Sequence, residues 1–334
     1  METRKVQLSG GTTYTVSLPK QWADEHNIDS GSVLYLYPDD RSLLLETVDD
    51  GSERAKTARI DISQQDEQPI RQSIRAAYLA GYDEITLLDH GGETGRRRHV
   101  VTTAVDRLCG LEIIEGTENT ITLRNLLDSD TISVRKSTLR LQLITLAMFR
   151  DAVEAIVDSD VELASQVSDR TSEADKHFAL IERQFRRSLS DLQEADRLGC
   201  SRVELFGYYR AATHLDRIAG CATSMAEHVD QFQTPLPATF SRAFQEHASE
   251  TKHLQERACN TVFRTSESAE SHAIVRDCTR QRKAIDVERE RLFDHEDSSV
   301  ASSVNSLFDY LDRTVRNARA IAEVGVRITI DDAH

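Results

Sequence analysis

Lysine is nearly missing from this chain. It occurs at seven positions (5, 20, 56, 136, 176, 252 and 283), and the other 34 of the 41 basic side chains are arginine. Long apolar runs are missing too: nowhere do 18 or more apolar residues follow one another, so no membrane-spanning helix and no membrane insertion are expected. Met1-Glu2-Thr3-Arg4-Lys5 lacks the apolar stretch of a signal peptide, so none is expected. The five cysteines, Cys109, Cys200, Cys221, Cys259 and Cys278, form no Cys-x-x-Cys pair. That spacing gives a zinc ribbon no support and predicts reduced, mostly buried thiols in a cytoplasm. Gly91-Gly92-Glu93-Thr94-Gly95 has neither the GxGxxG nor the GK[ST] spacing of a phosphate loop. The eleven histidines form no HExxH, and no Ser or Cys lies in a nucleophile elbow. Neither an enzyme nor a bound cofactor is therefore expected.

What the chain has in excess is acid. Asp and Glu number 56 among 334 residues, and the formal net charge is −15. Abundant acid with scarce lysine resembles the proteome habit of salt-loving archaea and implies a surface that stays hydrated in concentrated salt. Such acidity excludes a generally basic surface, so any nucleic-acid contact must come from a local patch. Hydrophobic residues, at 39 %, suffice for a packed core, and the length predicts two or more domains.

Residues 1–50 read as short strands between turns. Lys5-Val6-Gln7-Leu8 and Thr13-Tyr14-Thr15-Val16-Ser17 flank Ser9-Gly10-Gly11, as in a hairpin. Leu18-Pro19-Lys20-Gln21-Trp22 opens a short helix, with Ser17 as the expected cap and Pro19 in the first turn. Ser32–Tyr37 and Ser42–Thr47 are two further expected strands. Domains below about 70–80 residues usually need a disulfide, a metal or a partner copy. With no cysteine and no metal cluster here, dimerisation is inferred.

Arg4-Lys5-Val6-Gln7, Gly10-Gly11-Thr12-Thr13-Tyr14, Val16-Ser17-Leu18-Pro19-Lys20 and Trp22 resemble the archaeal branch of the SpoVT/AbrB-like domains. The resemblance covers nearly all of residues 3–46 and implies a swapped-hairpin β-barrel homodimer that binds double-stranded DNA. It implies DNA contacts at Arg4, Lys5, Gln7, Thr13, Tyr14, Ser17 and Lys20. Arg4, Lys5 and Lys20 oppose only Glu2 within the first 20 residues, whereas the rest of the first 50 carries Arg41 against eight acids. The other reading of the unit is a barrel that only dimerises.

Residues 55–130 predict β-α-β-α-β-β, a small α/β sandwich. The strands are Ala58–Ile62, Glu84–Leu88, Leu111–Ile114 and Thr120–Leu123, and the helices Pro69–Ala80 and Gly95–Leu108. Arg96-Arg97-Arg98-His99 is the most basic run in the chain and reads as a solvated helix start rather than a phosphate contact.

Residues 134–327 read as helices throughout, with stripes such as Leu205, Tyr209, Ala212, Leu215, Ala219, Ala222 and Val300, Val304, Leu307, Leu311, Val315, Ala318. Leu215-Asp216-Arg217-Ile218-Ala219-Gly220-Cys221-Ala222 repeats after 96 residues as Leu311-Asp312-Arg313-Thr314-Val315-Arg316-Asn317-Ala318. Two tandem three-helix units, about 134–233 and 238–327, are expected. The repeat resembles the PhoU family of phosphate-uptake regulators, and the order of the regions resembles archaeal regulators that join both families. The whole is then a multi-domain α+β chain: a swapped-hairpin β-barrel, a small α/β sandwich and an all-α double three-helix bundle.

PhoU proteins often bind metal through acid-x-x-x-Asp motifs, because carboxylates four apart share a helix face. Here the later acid is Gly220 in one copy and Arg316 in the other. No intact metal site is expected. A remnant would use Asp169, Glu173, Asp175, Asp216 and Asp312, for which solvated faces and arginine partners are the expected role; Asp216 next to Arg217 and Asp312 next to Arg313 are expected to form inter-helix ion pairs. Two functions follow. One is a DNA-binding transcriptional regulator tied to phosphate status. The other is an adaptor whose bundle binds a phosphate transporter ATPase or a signalling protein while the barrel only dimerises.

Overall fold

In the computed structural model, the described residues are 3–39, 42–47, 56–90, 94–128, 131–229, 238–263, 268–293 and 298–331. The chain divides into two compact units, Met1–Ala55 and Lys56–His334.

In the first unit, β1 (Gln7–Ser9) and β2 (Thr13–Thr15) form an antiparallel hairpin in the register Gln7↔Thr15, Leu8↔Tyr14, Ser9↔Thr13. The turn needs left-handed backbone, which Gly10 and Gly11 supply at φ +65° and +80°. A second hairpin pairs β3 (Leu34–Asp39) with β4 (Ser42–Thr47). Between the hairpins lies α1 (Lys20–Glu25). Ser17 is not its cap: Pro19 holds that position in extended backbone, and Ala23 N–H reaches Pro19 O at 3.0 Å. A residue before proline is forced out of the helical region, so the chain turns only after Pro19. The two hairpins remain separate two-stranded sheets, and no closed barrel forms among the described residues of this one chain.

The second unit opens with the expected α/β layer. Its sheet runs β5-β6-β8-β7, from β5 (Thr57–Asp61), β6 (Glu84–Leu88), β7 (Leu111–Gly116) and β8 (Thr120–Asn125). The β5–β6 pair is parallel and the others are antiparallel. Ile85 and Leu87 on β6 and Ile121 and Leu123 on β8 alternate onto one face. There they meet Ile70, Ile74 and Tyr78 of α2 (Glu67–Leu79) and Val100, Val101 and Ala104 of α3 (Thr94–Val105). The Arg96–His99 run lies in the first two turns of α3. Arg96 pairs with Glu67 (3.1 Å) and Arg97 with the buried Asp89 (2.7 Å), so these acids offset a helix dipole that the arginines oppose.

The helical part contains α4 (Val134–Asp158), α5 (Val161–Ser190), α6 (Leu192–Arg197), α7 (Arg202–Glu227), α8 (Ala238–Phe263), α9 (Ser268–Phe293) and α10 (Ser298–Asp331). α4, α5 and α7 pack on one another, as do α8, α9 and α10; α7 against α10 and α4 against α8 join the two trios. One core runs through both, from Leu141 and Phe149 through Leu215 to Phe244, Phe308 and Leu311. Local chemistry sets the breaks. Ser159 adopts a left-handed C-cap, Asp160 caps α5 by accepting from Leu163 N–H, and Ser201 with Glu204 forms a capping box on α7.

The α/β layer shares a wall with this bundle. Ala179 of α5 lies in the core beneath the sheet. Arg183, one turn on, is buried and donates to Tyr78 O (2.5 Å) and Tyr82 O (3.0 Å), with its guanidinium 4.9 Å from the centre of the Tyr78 ring. Gly81 makes room for the neighbouring arginine. Its φ is +83°, and a Cβ there would fall 2.9 Å from Arg187 Cγ. Gly81→Ala is therefore expected to lower stability by about 1–3 kcal/mol, combining left-handed strain with displacement of Arg187. Thermal unfolding of the full chain measures it, and an unchanged melting temperature would refute the close-packing account.

Candidate nucleic-acid interface and the acid pairs of the bundle

The pleat of the β1–β2 hairpin sorts its side chains by chemistry. Gln7, Ser9, Thr13 and Thr15 share one face, while Leu8 and Tyr14 share the other. Thr15 Oγ1 donates to Gln7 O at 3.3 Å, which fixes the polar face locally. The hairpin thus brings Gln7 and Thr13 together and sets Tyr14, 76 % exposed, on the apolar side. Arg4 and Lys5 precede β1 and are exposed, as is Ser17; Lys20 is the exposed first residue of α1. Thr15, which the sequence reading did not single out, lies on the polar face; strict alternation about Tyr14 was the signal.

This unit has no interior of its own. Among residues 3–37 and 42–47 none is buried. Val6, Leu8, Tyr14, Val16, Val33, Tyr35, Leu36, Leu43 and Leu44 are all exposed. At roughly 1.5–3 kcal/mol for each large apolar side chain withdrawn from water, leaving nine uncovered forgoes more than the whole stability of an ordinary domain.

In the bundle, the two repeat copies treat their aspartates differently. Asp312 of α10 is buried between Arg282 Nε of α9 (2.6 Å) and Arg316 Nη2 one turn on (2.5 Å). Asp312 thus forms an inter-helix ion pair, with Arg282 as its partner, while Arg313 lies 5.8 Å from the Tyr310 ring centre. Asp216 has Gly220 where Asp312 has Arg316. From the middle helix of its trio it meets Asp175, an acid, where Asp312 meets Arg282. Burial first, and then the Asp175 and Glu182 charges, push the Asp216 carboxyl up to about 6, while Arg75 of α2 pulls it down. Asp175 is likewise held above its usual range by burial, with Arg75 and Arg107 of the α/β layer opposing. Arg217 is only a further charge that lowers Asp216, ranked behind these.

Glu173 pairs with Arg140 at 2.8 Å, and Asp169 takes Ser172 Oγ on its main-chain oxygen at 3.2 Å. Among the described residues no three His, Cys, Asp or Glu side chains gather as a metal would require. The chemistry at Asp312 does not fit a cation either, because two guanidinium groups already neutralise it. His214 is buried with Nδ1 3.0 Å from Asn317 Oδ1, and burial lowers its pKa. His228 Nδ1 lies 2.8 Å from Ser224 O. Burial pushes the Cys259 and Cys278 thiols up to about 12, so neither is a ready thiolate.

A raised carboxyl makes stability fall with rising pH. Between its unfolded value near 3.8 and its folded value of about 6, Asp216 keeps its proton only when folded; above about 6 the full penalty of ionising it is present. Asp216→Asn is thus expected to melt higher than the wild type at pH 8, by about 1–2 kcal/mol in stability, and to show little difference near pH 4. Melting curves of both proteins at the two pH values measure this; a difference of equal size at each pH would remove the Asp175–Asp216 explanation.

Comparison with known proteins matches residues 7–53 to the family model "Antidote-toxin recognition MazE, bacterial antitoxin". Residues 138–229, which hold most of α4, all of α5 and α6, and α7, match the PhoU domain model. No curated protein sequence matches the chain. Among solved structures, PhoU from Pseudomonas aeruginosa is similar in fold, with a TM-score of 0.50 and 19 % identity, over 59 % of this chain and 96 % of that one. The chain is thus an α+β protein with small N-terminal strands, resembling MazE-type antitoxin domains at one end and the PhoU fold at the other.

Proposed function

We propose that this chain is a DNA-binding transcriptional regulator of phosphate uptake and homeostasis that works as a homodimer. The observation that carries the reading is the N-terminal unit, whose large apolar side chains are uncovered and in which none of residues 3–37 and 42–47 is buried. A second copy laid on the apolar faces supplies the missing core, and two hairpins closing on two others form the swapped-hairpin barrel. The same pairing doubles the polar hairpin faces and their flanking Arg4 and Lys5. Lys5, Thr13, Ser17 and Lys20 position the dimer on phosphates, while Arg4 and Gln7 read base edges. Tyr14 belongs to the dimer core in this arrangement, which revises its role as a DNA contact. Net charge −15 repels DNA overall, so uncharged contacts and shape carry more of the affinity than in a basic protein. The match of residues 138–229 to the PhoU domain supports a bundle that receives a phosphate-linked signal or a partner protein.

Gel retardation of double-stranded DNA across salt concentrations tests the reading. Retention should weaken as salt rises, and Arg4→Ala with Lys5→Ala should abolish it. Sedimentation should find dimers in both proteins. Dimers that retain no DNA at any salt would favour the adaptor, whose bundle engages a phosphate transporter ATPase or signalling protein. Folded monomers would remove both.

A further inference from the structure

Asp83, in the turn between α2 and β6, joins two parts of the second unit that are distant in sequence. Its Oδ1 accepts from Arg183 Nη2 (3.0 Å) and Arg187 Nη1 (2.7 Å), both on α5. Its Oδ2 accepts from the backbone N–H of Lys56 (3.0 Å). Lys56 is the first residue of the second unit and immediately precedes β5. Lys56 is also fixed by Nζ donating to Ala80 O (2.7 Å), and its own carbonyl accepts from the N–H groups of Asp83 (2.8 Å) and Glu84 (3.2 Å). On the other side Arg187 grips Glu194 of α6 through two bonds, of 3.0 and 3.2 Å, and Glu194 is wholly buried.

We propose that Asp83 is a coupling joint through which the α5–α6 corner of the bundle controls the order of Lys56, and with it the start of β5, the first strand of the α/β layer. The physics is a shared guanidinium. Arg187 bridges two carboxylates in a poorly hydrated place, and each bond polarises the next. Glu194 holds the Arg187 side chain in place through two bonds, so its loss frees that side chain to leave Asp83, whose carboxylate is then less firmly positioned. Asp83 then holds Lys56 less firmly, although the two residues stay adjacent. A bundle that changes shape at α6 thereby loosens the first strand of the α/β layer. The use of this joint for signalling rests on the proposed function above; the coupling itself does not.

Amide hydrogen exchange on the full-length chain tests it. In Glu194→Gln, peptides covering Lys56–Ile60 should exchange about fivefold faster, together with those of α6, the size expected when local opening is eased without global unfolding. Glu204→Gln, which disturbs the α7 capping box outside the network, should leave Lys56–Ile60 unchanged. Faster exchange confined to α5 and α6 overturns the proposal. Should Glu194→Gln lose helicity by circular dichroism, Arg187→Lys serves instead: it keeps a positive charge but lacks the guanidinium fork that makes two bonds to Glu194 and a third to Asp83, and the same peptides decide. The gel retardation result on the wild type stands apart. Coupled exchange in a protein that retains no DNA would keep the joint and discard the DNA-binding reading.

Discussion

A buried guanidinium has five N–H groups to satisfy and cannot shed its charge. Arg183 meets that demand by turning the C-terminal end of α2 and the loop after it into its binding site: the carbonyls of Tyr78 and Tyr82, the Asp83 carboxylate and the face of the Tyr78 ring. None of these groups could stay dry and unpaired without cost. The α/β layer is consequently fixed to α5 rather than strung beside the bundle, and residues from Lys56 onward form one compact unit. The layer's arginines, Arg75 and Arg107, are thereby brought to the half-buried acids of α5 and α7.

The two helical trios show how one sequence repeat ends in two electrostatic states. Leu215 and Leu311 are buried in the same shared core, so the apolar half of the repeat does the same work twice. The aspartates beside them do not. Asp312 is neutralised within its own trio by Arg282 and Arg316, whereas Asp216 feels the charge of Asp175 and is drawn down chiefly by Arg75 of the α/β layer.

The N-terminal unit poses the opposite problem. Its hairpins are well specified by Gly10-Gly11 and by alternation, yet they enclose nothing. A two-stranded ribbon cannot bury both its faces, and two of them on one short chain still leave large apolar side chains in water. That deficit makes a second copy the central feature of the proposed function.

Much of this was legible from residues alone. The succession of strands and helices in the α/β layer and the helices of the bundle follow from period, which acts over a few residues. The same locality explains what was misread and what was missed. The start of α1 shifted to follow Pro19 because proline restrains its predecessor more strongly than Ser17 attracts a helix. The sequence does not name the inter-helix partner of Asp312, which is Arg282, 30 residues away, because that choice depends on which helices pack together. By itself the sequence determined the succession of strands and helices, the internal repeat and, through alternation, the two faces of the first hairpin. Only the tertiary structure decided that Arg183 and Arg187 join two regions through Asp83, and that Arg96 and Arg97 pair with Glu67 and Asp89. Periodicity reports which face of an element is apolar, whereas a charge finds its partner by distance and desolvation across elements, and neither of those is written along the chain.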